Sequence, residues 1–396
     1  MDRLAQTIAG VEFKNPIIVS SGPLTRKLNL IKRAEDNGAA AVSTKHSLME
    51  QPFRGKSRWY HEHEVGIVTC SEPRLDLEQG EDLIRRVREE TDLIVLANMS
   101  GPPARIEGWG ETAKRLEAAG AHFIEVNMNC PNLGISKQMD SEQEVQIPLG
   151  GMIGQDPVLA SSITRHVKQS VNIPVISKLI SEGGRIVEVS KACETAGADV
   201  LNIHAGGPGA PGLDIYNGGR PKVAGLLERA SFGGTTGPWS RLVSNRFVAD
   251  VRRATATPLI GGGGIFQWEH IVESIMYGAS VIQVCTSLML KGFKLISTWL
   301  EALQSFLEET GHRDLTSISG IALKYICAPK ELVIIPVVAR VDREKCVGCG
   351  QCIDIGHCDA IELRDEKANV AEDLCIGCAT CVALCPTSAF FMETGG

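Results

Sequence analysis

Short apolar runs alternate along this chain with amphipathic segments of helical length. The apolar runs cover Pro16–Ser21, Ala39–Lys45, Leu93–Met99, His122–Met128, Pro174–Ile180, Ala198–His204, Pro258–Gly262 and Ser280–Cys285. Each is short and nearly all apolar, as a strand buried on both faces must be. The segments between them predict helices near Lys27–Asn37, Glu78–Thr91, Glu111–Ala119, Asp156–Val171, Gly184–Ala196, Ser240–Thr255, Gln267–Tyr277 and Lys291–Glu309. Glycine follows several of these helices just before the next strand, as in Asn37-Gly38-Ala39, Ala119-Gly120-Ala121, Ala196-Gly197-Ala198 and Tyr277-Gly278-Ala279. It is the residue that tolerates the left-handed turn ending a helix. Eight strand–helix pairs predict a (β/α)8 TIM barrel over residues 1–312. A doubly wound sheet is the alternative, because periodicity does not give strand order.

Polar and glycine-rich residues gather just after the strands: Ser20-Ser21-Gly22, Lys45-His46, Asn98–Gly101, Asn127–Asn132, Lys178, His204–Gly212, Gly261–Gly264 and Cys285-Thr286-Ser287. In a barrel all of them fall at the C-terminal face, where chemistry is done. The run Asn127-Met128-Asn129-Cys130-Pro131-Asn132 is the richest, since a thiol there can pass a proton and the amides can grip a carbonyl-bearing ring. Gly261–Gly264 and Cys285-Thr286 follow strands seven and eight, the usual phosphate position of this barrel. Gly207-Pro208-Gly209-Ala210-Pro211-Gly212 formally matches G-x-G-x-x-G. Its two prolines and the absence of a following helix point to an active-site loop instead. His61-Glu62-His63-Glu64 has the wrong spacing for a metal pair on a helix and is expected to be a solvated or substrate-covering loop.

Composition adds limits. The chain has 396 residues and a net charge of −7, with no basic stripe, which argues against nucleic acid. No apolar run reaches the roughly 18 residues of a membrane span, and the opening residues show no signal pattern. A cytoplasmic protein without a membrane partner is the expectation.

Eight of the thirteen cysteines lie between Cys346 and Cys385, while Cys70, Cys130, Cys193, Cys285 and Cys327 are scattered. Cys375-x2-Cys378-x2-Cys381-x3-Cys385-Pro386 is a complete bacterial ferredoxin ligand run. Cys346-x2-Cys349-x2-Cys352 precedes it, with Cys358 after a widened gap. In two-cluster ferredoxins the fourth cysteine of each run serves the other cluster. This assigns Cys346, Cys349, Cys352 and Cys385 to one [4Fe–4S] centre and Cys375, Cys378, Cys381 and Cys358 to the other. A C-terminal two-cluster ferredoxin-like α+β domain is therefore expected over 341–396, after a linker at 313–340. Such clusters carry single electrons, so a separate centre must handle two-electron chemistry, and a flavin on the two phosphate turns would supply it.

These motifs, in this order, resemble the class 1 dihydroorotate dehydrogenase family and, over nearly the whole chain, the FMN and iron–sulfur subunits of its dihydropyrimidine dehydrogenase branch. The resemblance implies FMN contacts at Ser20, Ser21, Gly22, Lys45, Asn98, Asn127 and Lys178. Phosphate contacts are implied within Gly233–Gly237, Gly262-Gly263-Gly264 and Cys285-Thr286, with Gly237 closing the first stretch. It implies catalytic roles for Cys130, as proton carrier, and for Lys178, beside the flavin N1–O2 edge, with hydride passing through N5. Asn127, Asn129, Asn132 and His204 would meet the substrate, a small cyclic carbonyl compound of the dihydropyrimidine/pyrimidine type. An FAD/NAD(P)H-binding partner subunit or ferredoxin would supply electrons, and an oligomer is expected. The same flavin chemistry on a non-pyrimidine enone, or an electron-transfer subunit with a non-catalytic barrel, are the alternatives. The chain departs from the family where an Asn-Thr or Asn-Ser pair is replaced by Ala205-Gly206 beside His204. It also lacks an asparagine after Lys45, and its loop Leu133–Ile153 is longer and carries Lys137, Asp140, Glu142 and Glu144.

Overall fold

The structure is a computed structural model that describes residues 3–51, 54–102, 105–133, 148–180, 184–204, 206–225, 229–353 and 358–394. It divides into a unit of residues 1–325 and a smaller unit of residues 326–396.

In the larger unit, eight parallel strands close on themselves. They are β1 (Ile17–Val19), β2 (Ala41–Ser43), β3 (Ile94–Ser100), β4 (Phe123–Met128), β5 (Val175–Ile180), β6 (Val200–His204), β7 (Leu259–Gly262) and β8 (Val281–Val284). Each pairs with the next in sequence, and β8 pairs back onto β1 with Gln283 opposite Ile18. That closure decides for the barrel over the doubly wound sheet. The principal helices are α1 (Leu28–Asp36), α2 (Leu77–Glu90), α3 (Glu107–Ala118), α4 (Pro157–Ser170), α5 (Ile186–Thr195), α6 (Arg241–Ala254), α7 (Trp268–Met276) and α8 (Lys294–Glu309). Asp156 caps α4 by accepting from the Val158 and Leu159 N–H groups, next to Pro157 at its first position.

Two element boundaries differ from the sequence reading. Helix α3 begins at Glu107, four residues before the expected Glu111, because Trp109 is buried and pulls the preceding turn onto the core. The expected helix Lys291–Glu309 begins only at Lys294, because Gly292, in the left-handed region at φ 86°, ends a separate short helix Thr286–Lys291 before it.

The bottom of the barrel is apolar. Ile18, Ala41, Leu96, Phe123, Ile176, Val200, Ile260 and Val281, one from each strand, pack with Ile8 and Phe13 of an antiparallel N-terminal hairpin. Burying Phe13 and Ile8 contributes on the order of 2 kcal/mol each. Around the strands, one continuous cluster joins their outward residues to the helices and includes Leu315 and Ile318, both fully buried. Among the described residues, no helix is long and apolar enough to cross a membrane.

The His61–Glu64 stretch is only half a loop: His61 and Glu62 end a strand, and His63 and Glu64 form the exposed turn after it. Arg58–Glu62 and Gly66–Ser71 form a hairpin that joins Gly233–Thr236 and Gly207–Gly209 in a four-stranded antiparallel sheet. Burial alternates along Arg58–Glu62, but no residue there is fully buried and the apolar Trp59 lies on the exposed face, which is why the sequence pattern missed the strand. His61 and His63 stay solvent-accessible.

In the smaller unit, Val337–Val341 pairs antiparallel with Phe390–Thr394, and Ile361–Arg364 with Lys367–Val370. Its core is small, formed by Ala339, Ala368, Ala389 and Phe390 with Cys346, Cys352 and Cys381. Such a core is too slight to stabilise a fold by itself, so bound clusters are expected to contribute most of its stability.

Candidate active site and iron–sulfur centres

Side chains alternate along a strand, so Phe123 at the barrel floor places Glu125 one layer up and Asn127 at the rim. Glu125 is completely buried. Its Oε2 accepts from Ser43 Oγ and Asn98 Nδ2, both at 2.5 Å, and its Oε1 accepts from Gln283 Nε2 at 2.5 Å and Asn202 Nδ2 at 2.7 Å. The Lys178 ammonium stands 3.7 Å from Oε2 and donates to Gln283 Oε1 at 3.1 Å. Burial pushes the Glu125 carboxyl up, but Lys178 and the donors from Ser43, Asn98 and Gln283 outweigh it and hold the group below its ordinary range. A carboxylate therefore occupies the middle of the barrel, and the polar layer around it is oriented toward it.

Above this layer lies a cavity of about 220 Å3 at the C-terminal ends of the strands. Of the expected site residues, Ser20, Ser21, Gly22, Lys45, Asn127, Asn129, Cys130, Asn132, Lys178, His204, Gly237, Gly263, Gly264, Cys285 and Thr286 all line it. Asn98 and Gly262 do not. Asn98 is fully buried beneath the cavity, its amide shared between Glu125 and Asn127. Gly262 lies within β7, where a Cβ would stand 2.6 Å from the Gln283 carbonyl oxygen.

Cys130 follows β4, partly exposed, with the Arg74 guanidinium 3.8 Å from its sulfur. Asn132 Oδ1 accepts from the Gly234 N–H at 2.8 Å, which turns its NH2 group to other partners. Lys45 is ion-paired with Glu72 at 2.6 Å. His46 Nε2 lies 2.9 Å from Ser100 Oγ, whose proton goes to the Asn127 carbonyl, so the imidazole is the donor there. Burial, then Arg74, Lys45 and Lys178, hold His46 well below the usual histidine range. The Cys285 thiol is pushed up to about 12, by burial first and the Glu72 carboxylate second. It is a neutral packing group, 2.6 Å from where a Cβ on Gly22 would fall.

Sequence reasoning missed Glu125, Asn202, Gln283 and Ser43. The signal was present: each lies two residues before a rim residue or strand end, on the same inward face. It missed Glu72 and Arg74 for a different reason, since the hairpin that carries them back over the cavity leaves no clear periodicity. The loop residues Lys137, Asp140, Glu142 and Glu144, and Ala205, lie outside the described residues.

The cavity's lining fits a flavin mononucleotide. At one end Gly237, Gly263 and Gly264 offer bare backbone, and Gly264, at φ 71°, leaves no room for a Cβ against the Arg241 backbone. Ser287 Oγ, in the same wall, is buried without a hydrogen-bond partner among the described residues, as a phosphate-facing hydroxyl would be. Lys178 brings a buried cation to the floor, where an electron-rich ring edge would need it.

In the smaller unit, Cys346, Cys349, Cys352 and Cys385 line one pocket. Three sulfurs already accept backbone N–H groups: Cys346 from Ala368 and Cys375 from Ala339, both at 3.4 Å, and Cys385 from Ala389 at 3.2 Å. Such donors stabilise cluster-bound thiolates. Cys381 feels both Cys375 and Cys378, which places these three together. Among the described residues no cysteine group is drawn tight enough for a single metal ion, a spacing that a larger four-iron cluster does not require.

Fold and site define a flavin-dependent oxidoreductase barrel joined to an iron–sulfur electron-transfer domain. Residues 3–307 match the dihydroorotate dehydrogenase family, and residues 339–392 match a 4Fe-4S dicluster domain. The chain belongs to the dihydroorotate dehydrogenase family. It is 28% identical over 364 residues to the NAD-dependent dihydropyrimidine dehydrogenase subunit PreA of Escherichia coli K12, covering 88% of this chain and 84% of that protein. It is 31% identical over 325 residues to the dihydroorotate dehydrogenase B (NAD(+)) catalytic subunit of Pyrococcus furiosus, covering 80% and 97%. With the corresponding subunit from Thermoplasma acidophilum it shares 27% identity over 328 residues, 82% of this chain and all of the relative. The protein is thus an oxidoreductase related to those acting on CH–CH donors.

Proposed function

We propose that this protein transfers hydrogen across a C–C bond beside a carbonyl in a small cyclic substrate of the dihydropyrimidine/pyrimidine type. The observation that carries the reading is the convergence of Cys130, Asn127, Asn129, Asn132 and Lys178 on one cavity. FMN, when bound, supplies hydride exchange with a substrate carbon and single-electron exchange with the iron–sulfur centres.

The chain's own residues do the rest. Gly237, Gly263, Gly264, Cys285 and Thr286 hold the phosphate, mainly through backbone. Ser20, Ser21, Gly22 and Lys45 flank the ring, and Lys178 balances negative charge at its edge. Asn127 and Asn132 orient the substrate carbonyl, with Asn129 and His204 in the same wall. Cys130 Sγ gives a proton to, or takes one from, the substrate carbon next to the one that exchanges hydride. Arg74 keeps a positive charge beside that sulfur.

Cys346, Cys349, Cys352 and Cys385 would hold one [4Fe–4S] cluster and Cys375, Cys378, Cys381 and Cys358 a second. Electrons would come from an FAD/NAD(P)H-binding partner subunit or a ferredoxin. The domain division 1–312, 313–340 and 341–396, the cytoplasmic location and an oligomeric assembly belong to the same reading.

The test is turnover of uracil, thymine and orotate with a reduced dye. Cys130→Ser is expected to slow turnover about 10^2- to 10^4-fold while flavin absorbance near ~450 nm is retained. An unimpaired variant, or no turnover of any of the three, removes the assignment.

A further inference from the structure

Two hydrogen-bonded chains run upward from Glu125 and meet at Asn129. Glu125 is an acceptor only, so the direction of every later bond follows. In the first chain, Asn98 must point its NH2 at Glu125 Oε2, which turns its Oδ1 to Asn127. Asn127 Nδ2 donates to that oxygen at 2.9 Å, and Asn127 Oδ1 accepts the Asn129 backbone N–H at 3.1 Å.

In the second chain, Asn202 Nδ2 donates to Glu125 Oε1 at 2.7 Å, leaving Asn202 Oδ1 to face His204 Nδ1 at 3.2 Å. An amide oxygen accepts, so His204 carries its proton on Nδ1, and Nε2 is a bare lone pair. Asn129 Nδ2 lies 2.8 Å from that Nε2 and must donate to it. The Asn129 amide is thereby locked with its oxygen turned away from His204. That oxygen, Asn129 Oδ1, is buried and has no hydrogen-bond partner among the described residues, on a residue only 8% exposed that lines the cavity. A buried amide oxygen without a partner costs on the order of 1–3 kcal/mol, which a ligand donor would recover.

We propose that Asn129 Oδ1 is the specificity-determining acceptor for a ring N–H of the substrate, and that Asn202 and His204 are positioning residues that fix its orientation. This rests on the reading of the cavity as a cyclic-substrate site and narrows the substrate to a cyclic amide. Asn132, whose oxygen is occupied by the Gly234 N–H, has its NH2 group available as a donor. An acceptor and a donor in one wall suit the adjacent N–H and C=O of a lactam or imide. One other feature agrees. His204 is held down to about 3, by burial first and Lys178 second, so it stays neutral at working pH.

The experiment has two arms on the cofactor-loaded full chain. In the first, 15N-histidine NMR of the protein, with His204→Gln used to assign the resonance, is expected to show protonated Nδ1 and unprotonated Nε2 for His204. A protonated Nε2 overturns the proposal, whatever the enzyme turns over. In the second, binding of uracil, 1-methyluracil and 3-methyluracil is measured by calorimetry. The parent protein is expected to reject at least one N-methyl compound about 100-fold or more relative to uracil, and Asn129→Ala to narrow that ratio below about tenfold. A ratio unchanged in Asn129→Ala overturns the acceptor role. Failure of all three ligands to bind, with the Nδ1–H tautomer observed, removes the pyrimidine reading and leaves the oriented acceptor standing.

Discussion

Glu125 and Lys178 face each other inside the barrel with carboxylate and ammonium 3.7 Å apart, both almost completely excluded from water. Strand pairing fixes this geometry, because Asn127 on β4 is in register with Lys178 on β5, and Glu125 is one inward position below. The carboxylate is satisfied by four hydrogen-bond donors as well, so the pair is part of a network rather than an isolated ion pair.

Glu125→Gln replaces an acceptor-only group by one that must present two N–H bonds to existing donors, and it leaves Lys178 without a counter-charge. A loss of about 3–5 kcal/mol of stability is expected. Chemical denaturation of the variant and parent, followed by far-UV circular dichroism, measures it. A loss under about 1 kcal/mol would show that the polar layer re-pairs around the change.

Stability should fall on acidification in two stages. His204 is held down to about 3, chiefly by burial, so below the unfolded value near ~6.5 the unfolded chain takes a proton that the native site refuses. That stability is present above about pH 6.5 and is lost as pH falls toward the folded value. Glu125 lies below its ordinary range, because Lys178 and the hydrogen bonds outweigh burial, so its contribution is present above about pH 4.3 and is lost on going lower. His204→Gln should therefore flatten the upper stage, leaving the shares of His46, His122 and His270, whose values are depressed too. Unfolding midpoints from about pH 8 to about pH 2 cover both stages, and identical slopes in parent and variant between about pH 6.5 and pH 4.5 would count against the first.

Iron content distinguishes the cysteine assignments. An intact chain with both centres should carry about eight irons, and Cys385→Ser about four, with the loss falling on the centre held by Cys346, Cys349 and Cys352. Cys358→Ser is expected to affect the other centre only. Electron paramagnetic resonance of the dithionite-reduced variants identifies which signal is lost, and a full complement of iron in both variants would exclude the crossed arrangement.

The chain's apolar periodicity was enough to mark eight strands and their helices, since a parallel strand buried on both faces must be apolar and short. Cysteine spacing was enough to mark an iron–sulfur domain, because ligands to one cluster are close in sequence. The rim residues were legible for the same local reason: Cys130, Asn132 and Lys178 stand where strands end. Closure of the barrel was not legible, since the pairing of β8 with β1 joins residues more than two hundred positions apart. Nor was the role of Glu125, Asn202 and Gln283, which lie on different strands and become one polar layer only when the barrel brings them within hydrogen-bond reach. Arg74 and Glu72 reach the cavity through a hairpin whose course depends on pairing with Gly233–Thr236, far along the chain. Local sequence sets which groups each strand presents; only the closed sheet decides which of them meet, and which atom of each amide faces the substrate.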